Sequence, residues 1–247
     1  HKQLPPVVLS DSVLGNYSIF SRLISGNPDV SVMLSQTYRM CSGLSRWPSQ
    51  HYYDGQLVSA GLNAERSFSL LSAPQKYVDV LSEDHPFVFI KTPGVNAKHL
   101  NQAEATLVVD IIENAVEAGL NASDIGVVTP FRSHAKALKT QLSLKGLSTA
   151  KSIVTDTVER MQGQEREMII ISLCASDPQY IAAIAGFFFQ AERLNVAITR
   201  PKTKLILVGP VLDDLFGHDF IDETLIANIE DYRSLVDSAY HPINREH

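Results

Sequence analysis

Three short polar blocks hold most of the side chains suited to chemistry in this 247-residue sequence. They are Gln36-Thr37-Tyr38-Arg39-Met40, Glu159-Arg160-Met161-Gln162-Gly163-Gln164-Glu165 and Arg193-Leu194-Asn195-Val196-Ala197-Ile198-Thr199-Arg200. Arg39 follows an expected strand closely, where a guanidinium can hold an anion through two parallel hydrogen bonds. Gln36 and Tyr38 stand beside it. Alone, such an arginine pairs as readily with a surface carboxylate. Arg200 ends the third block just before Pro201, a place where a cation also answers a helix dipole. Asn195 and Thr199 are four apart and Arg193 and Arg200 seven apart, so each pair shares one face of an expected helix. Gln162, Gln164 and Glu165, around a turn at Gly163, suit a ribose hydroxyl or a base, and equally a solvated loop. Thr129-Pro130-Phe131-Arg132 marks a strand-to-helix junction. A threonine there is expected to cap the helix and leave backbone N–H groups for a phosphate.

What is missing matters as much. No glycine-rich phosphate loop ends in Gly-Lys-Ser/Thr, and no Asp-Glu pair closes a strand to hold magnesium. A nucleotide hydrolase of the phosphate-loop class needs both. The eight histidines lack metal-ligand spacing, so no metal site is expected. Cys41 and Cys174 are far apart, which argues against a disulfide framework and for a reducing cytoplasmic or nuclear setting. A net charge of −6 argues against a broad basic face but permits a narrow groove with local donors. With 45% apolar and 19% charged residues the chain is ordinary globular material. It has no membrane-spanning run and no signal-peptide pattern.

The elements that must position the blocks follow from periodicity. Helical spacing runs over 13–24, with a stop at Gly26-Asn27-Pro28. Val30–Leu34 reads as a short strand delivering the first block at its carboxyl end. Residues 41–85 are irregular, with a short helix expected near 42–47. Phe87–Ile90 reads as a buried strand. Asn101–Gly119 has an amphipathic helical pattern ending at glycine. Then come a strand at 125–129, a helix at 132–144, strands at 153–156 and 167–173, a helix at 191–198 and a strand at 204–208. Helices close the chain at 212–216 and 224–236. Such alternation predicts an α/β fold, a parallel sheet with helices on both faces and ligands at the carboxyl ends of its strands.

The blocks together resemble the motifs of superfamily 1 helicases. His1-Lys2-Gln3-Leu4-Pro5-Pro6 is similar to the tail of the motif Gly-Asp-x-x-Gln-Leu-Pro-Pro. Gln36–Met40 resembles the Gln-x-Tyr-Arg-Met block that opens the second RecA-like motor domain. Tyr53-Asp54-Gly55-Gln56-Leu57 resembles a stretch that follows it. Val154–Glu165, with Met168–Ser172, resembles the Gln-Gly-x-Glu block, and Arg193–Arg200 matches Arg-x-Asn-Val-Ala-x-Thr-Arg. The likeness runs to about Gly209 and is greatest to the branch of the nonsense-mediated-decay helicase, which tends to move five-prime to three-prime.

That resemblance implies a RecA-like fold of the P-loop NTPase type and an ATP-dependent motor. It implies roles: Gln3 sensing the γ-phosphate, Arg39 and Arg200 as arginine fingers, Glu165 on the ribose, and Gly163 allowing close backbone approach. Gln36 and Tyr38 would join the nucleotide site. Thr129, Pro130 and Thr157 would touch the backbone of single-stranded DNA or RNA. ATP with Mg²⁺ would take its main phosphate and metal ligands from the first motor domain, so this stretch alone is expected to hydrolyse ATP negligibly. The expected organisation is a tail of the preceding domain over 1–28, the second RecA-like domain over 29–217, and a helical extension over 218–247. A non-catalytic helicase-like module that binds nucleic acid or protein is the alternative.

Overall fold

The computed structural model describes residues 33, 35–92, 96–146, 152–161, 163–211 and 223–242. Contacts divide the chain into residues 1–34 and 35–247, and nearly every described residue lies in the second unit. The expected helix at 13–24, Gln3 and the helix at 212–216 lie outside the described residues.

The elements run β1 (Gln36–Thr37), α1 (Ser42–Tyr52), β2 (Val58–Ser59), β3 (Phe87–Lys91), α2 (Gln102–Glu117), β4 (Ile125–Thr129), α3 (Arg132–Leu144) and β5 (Val154–Thr157). They continue through β6 (Arg166–Ser172), α4 (Pro178–Ala183), α5 (Ala185–Phe188), α6 (Ala191–Ile198), β7 (Pro201–Gly209) and α7 (Glu223–Asp237). Five strands form one sheet in the order β3-β7-β6-β4-β5, and every pairing is parallel. β1 and β2 form a separate two-stranded parallel sheet.

Strand alternation sorts the core into two layers. Ile169, Ile171, Leu205 and Leu207 face one cluster, with Leu44 and Trp47 of α1, Ile198 of α6 and Tyr232 and Leu235 of α7. Met168, Ile170, Ile206 and Val208 face the other, with Val108, Ile111 and Ile112 of α2 and Leu138 of α3. Helices therefore cover both faces, as the alternating pattern predicts. Helix α7, within the stretch expected as a C-terminal extension, packs into the first cluster, and Trp47 Nε1 donates to Ser234 Oγ at 3.1 Å. Tyr240 exchanges backbone hydrogen bonds with β3, capping that sheet edge.

The β5-to-β6 connection sets the position of the second polar block. Both strands flank β4 in parallel, so the chain must travel back along the sheet between Thr157 and Arg166. It does so through a 3₁₀ turn at Val158–Met161 that buries Met161. Gly126 of β4 makes room for it, since a Cβ there would stand 2.7 Å from Ile169 Cδ1 and 3.1 Å from Met161 Cε. Gly163 turns the chain with φ +83°, a conformation natural to glycine. Lys204 is buried within β7, where its ammonium donates to the Ser82 and His85 carbonyls at 2.8 and 2.5 Å. Burial pushes that ammonium down to about 7.

Candidate functional site

The polar blocks converge at the amino-terminal edge of the sheet. Glu165 immediately precedes β6 and Arg200 immediately precedes β7. The first block opens with β1 and is tied to the same edge by Cys41 N–H, which donates to Lys202 O at 2.8 Å. The expectation that this block lies at the carboxyl ends of the strands is thus corrected. The strand expected at 30–34 to deliver it lies almost wholly outside the described residues, and the block, which itself begins with the two-residue β1, meets the start of the main strands. The cause is topological: the crossover through Met161 brings the second block back to the beginning of β6.

Arg39 is held by two partners. Its Nε donates to Glu165 Oε2 at 2.9 Å and its Nη1 to the Thr199 carbonyl at 2.9 Å. Lys202 Nζ lies 3.4 Å from Glu165 Oε1. The hydrogen bond from Arg39 leads the effects that hold the Glu165 carboxyl below its ordinary range. Arg200 is half-buried, with Nε donating to Val196 O at 2.8 Å. Its terminal nitrogens have no hydrogen-bond partner among the described residues. Burial lowers its pKa first, and the like charge of Arg39 lowers it further. Two guanidiniums thus crowd one small region, and an anion brought between them would relieve that repulsion.

Tyr38 is 69% exposed and its hydroxyl donates to Gln36 Oε1 at 3.0 Å. An aromatic face and an amide therefore stand open beside Arg39. Within α6, Asn195 Nδ2 donates to Tyr53 Oη at 3.3 Å, and Thr199 Oγ1 donates to Asn195 O at 2.7 Å. The helical reading of the third block holds, and its apolar members Ala197 and Ile198 are buried.

The expected strand-contact residues sit at the opposite, carboxyl-terminal edge. β6 spans seven residues, so the two edges are separated by roughly 20 Å. Thr129 ends β4 and Thr157 ends β5, and the two are register partners. Both side chains are buried, and Thr129 Oγ1 has no partner among the described residues. The expected cap role of Thr129 does not occur: Phe131 is the N-cap of α3, and no side chain caps that helix. Half-buried Pro130 and exposed Arg132 and Ser133 present this edge to solvent.

Sequence reasoning missed the buried network behind this edge. Glu104 of α2 accepts from Thr92 Oγ1 at 2.9 Å, Ser172 Oγ at 2.6 Å and Cys174 N–H at 2.9 Å. His134 Nε2 meets Ser172 Oγ at 2.8 Å, and Asn101 N–H approaches Nδ1 at 3.5 Å. Since Ser172 gives its proton to Glu104, neutral His134 carries its own on Nε2. Burial pushes Glu104 up to about 7 and His134 down to about 4. No spacing in the sequence links these residues, because four separate elements supply them.

Helix α6 links the crossover to the amino-terminal edge. Arg193, in its first turn, forms an ion pair with Glu159 of the crossover and covers the Phe187 ring at 4.0 Å from the ring centre. Arg200 follows Thr199, the C-cap of the helix.

Comparison with known proteins matches residues 15–211 to the family described as AAA domain (AAA_12). The chain is 34% identical over 224 residues to the DNA polymerase alpha-associated DNA helicase A of Schizosaccharomyces pombe, covering 85% of this chain and 32% of that protein. It is 31% identical over 255 residues to Regulator of nonsense transcripts 1 of Dictyostelium discoideum, covering 97% of this chain and 18% of the relative. It is 30% identical over 262 residues to the DNA replication ATP-dependent helicase/nuclease DNA2 of Xenopus laevis, covering 96% and 24%. The chain therefore spans a third or less of the length of each of these relatives. No helix among the described residues is long and apolar enough to cross a membrane.

Proposed function

Because this chain belongs to the AAA domain family and is a superfamily 1 helicase motor domain, we propose that it acts as the second RecA-like jaw of an ATP-dependent helicase or translocase on single-stranded DNA or RNA. The observation that carries this reading is the meeting of Arg39, Glu165 and Arg200 at one sheet edge, from three distant blocks. Residues 1–28 would end the preceding motor domain, 29–217 would form the second, and 218–247 would close it. Two buried free cysteines suit a cytoplasmic or nuclear setting.

The donor set fits the nucleotide and not its metal. Two guanidiniums suit phosphate oxygens, and Tyr38 with Gln36 suits a base. The only carboxylate among them, Glu165, is already engaged by Arg39 and Lys202. Mg²⁺ and the main phosphate ligands would come from the first motor domain. When ATP arrives, Arg39 would exchange Glu165 for the γ-phosphate and Glu165 would turn to the ribose. A part-exposed pair of this kind is worth under about 1 kcal/mol, so the exchange costs little. Arg200, whose terminal nitrogens have no hydrogen-bond partner among the described residues, would supply the second charge to the transferring phosphoryl group. Gln3 would sense that phosphate from the preceding domain. Gly163 would let the backbone approach the nucleotide.

At the far edge, the junction at Thr129, Pro130 and Thr157 would bear on the strand backbone. Because both threonines are buried, contact there falls to main chain, Pro130 and the uncapped start of α3. Alternating closure on ATP and opening after hydrolysis would then move the strand. The test is ATP turnover by the full-length protein with and without single-stranded DNA or RNA. Stimulation by either supports the reading; turnover indifferent to both contradicts it.

A further inference from the structure

β5 is the outermost strand of the sheet, and α3 lies against its flank. A strand laid along the carboxyl edge over Thr129 and Thr157 reaches this corner. The corner has a charge unlike the rest of the chain. Helix α3 reads Arg-Ser-His-Ala-Lys-Ala-Leu-Lys-Thr-Gln-Leu-Ser-Leu, with no acidic residue, in a protein of net charge −6. Arg132, Lys136 and Lys139 are all exposed. At spacings of four and three they share one face, about 10 Å long from first to last. Arg160 of the crossover joins them and is 64% exposed. One acid stands among these four cations: Asp156, 3.7 Å from Lys139 and 3.6 Å from Arg160. Arg132 and Lys136 have no carboxylate within 4 Å among the described residues. Lys136, Lys139, Thr140, Ser143 and the exposed Leu144 line a shallow, open depression.

We propose that this basic flank of α3, with Arg160, is an exit track for the phosphodiester backbone of the single strand as it passes β5. Nothing in the motif blocks assigns a role to Lys136, Lys139 or Arg160. The track reconciles an acidic chain with a polyanionic partner: four cations stand at one corner with a single acid, Asp156, among them. Lys139 and Arg160 share Asp156, so phosphates compete with a single carboxylate that stays behind. The contacts are phosphate contacts and carry no base preference.

The inference rests on the proposed function, and the experiment separates the two. In the full-length protein, the affinity of fluorescein-labelled oligothymidylate and oligouridylate is measured by anisotropy across salt concentrations. Wild type is compared with Lys136→Ala/Lys139→Ala and with Lys136→Arg/Lys139→Arg. Two lost phosphate contacts make the salt slope shallower by about 1.4 and weaken binding roughly 25-fold at 0.1 M salt. The arginine variant keeps wild-type affinity. At saturating strand, ATP turnover is unchanged in both, because these residues lie on the opposite side of the sheet from Arg39 and Arg200. Unchanged affinity and slope in the alanine variant overturns the proposal. So does a loss confined to blunt duplex DNA, which would make the occupant double-stranded. A wild-type protein that binds no single strand defeats the functional reading as well.

Discussion

Replacing Glu104 by glutamine should change how stability depends on pH, with a sign set by its neighbour His134. Glu104 is fully buried and held at about 7, against an ordinary 4.5. Between those values the folded state binds the extra proton. The stability contributed by this group is complete below pH 4.5 and is lost as pH rises through 7. His134, also fully buried, is held at about 4 against 6.5 by burial alone. Here the unfolded state binds the extra proton, so stability is complete above pH 6.5 and is lost as pH falls toward 4. Each window covers two to three pH units at about 1.4 kcal/mol per unit, or about 3 kcal/mol. The two slopes oppose each other between pH 4.5 and 6.5, so wild-type stability gains little net slope from the pair. Glu104→Gln leaves the His134 slope uncompensated. The stability of this variant, relative to wild type, should climb by about 3 kcal/mol from pH 4.5 to 7. His134→Gln should show the reverse, a relative fall of similar size over the same range. Urea unfolding at a series of pH values measures both differences, and any loss of hydrogen bonds shifts a curve without tilting it. Difference curves that are flat for both variants would refute the assignment of these charge states.

Two further outcomes follow from the crossover and its neighbour. Gly126→Ala places a methyl against Ile169 and Met161, and such overpacking should cost about 1–3 kcal/mol, read as a lower urea midpoint with an unchanged slope. A midpoint equal to wild type would mean the crossover gives way freely. Arg193→Ala removes both the ion pair to Glu159 and the stack on Phe187, which anchor the start of an eight-residue helix about 12 Å long that leads to Arg200. In the full-length protein this change should reduce the stimulation of ATP turnover by single strands more than it reduces strand affinity. Stimulation at the wild-type level would show that the anchored start of α6 does not carry a signal from the crossover to Arg200.

The sequence made the repeating units legible. Helix α3 over Arg132–Leu144, helix α6 over Ala191–Ile198 and strand β4 over Ile125–Thr129 match their periodic patterns residue for residue. Long apolar strands and amphipathic helices declare themselves because burial imposes their period. Order within the sheet is a different matter. Nothing in β3 marks it as the neighbour of β7, and nothing in the second block shows that it returns to the start of β6. This is why an expected carboxyl-edge site is found at the amino edge. The residues proposed for the site stand in motifs visible in the sequence, yet the Arg39–Glu165 contact joins residues 126 apart and needed the fold. Thr129 shows the limit of local rules: its position before a helix suggests a cap, but packing buries it and leaves Phe131 at that place. Lys204, a charge inside a strand, is accommodated because two carbonyls from an irregular loop and the face of the Phe68 ring meet it.

The central claim is that Arg39 and Arg200 act on the phosphate of a nucleotide held mainly by another domain. Its most direct measurement is ATP turnover by full-length Arg39→Ala and Arg200→Ala proteins at saturating single strand, with strand affinity measured alongside. An arginine finger is worth roughly a thousandfold or more in rate, so turnover should all but vanish in each variant while strand binding stays near wild type. Near wild-type turnover in both would contradict the account.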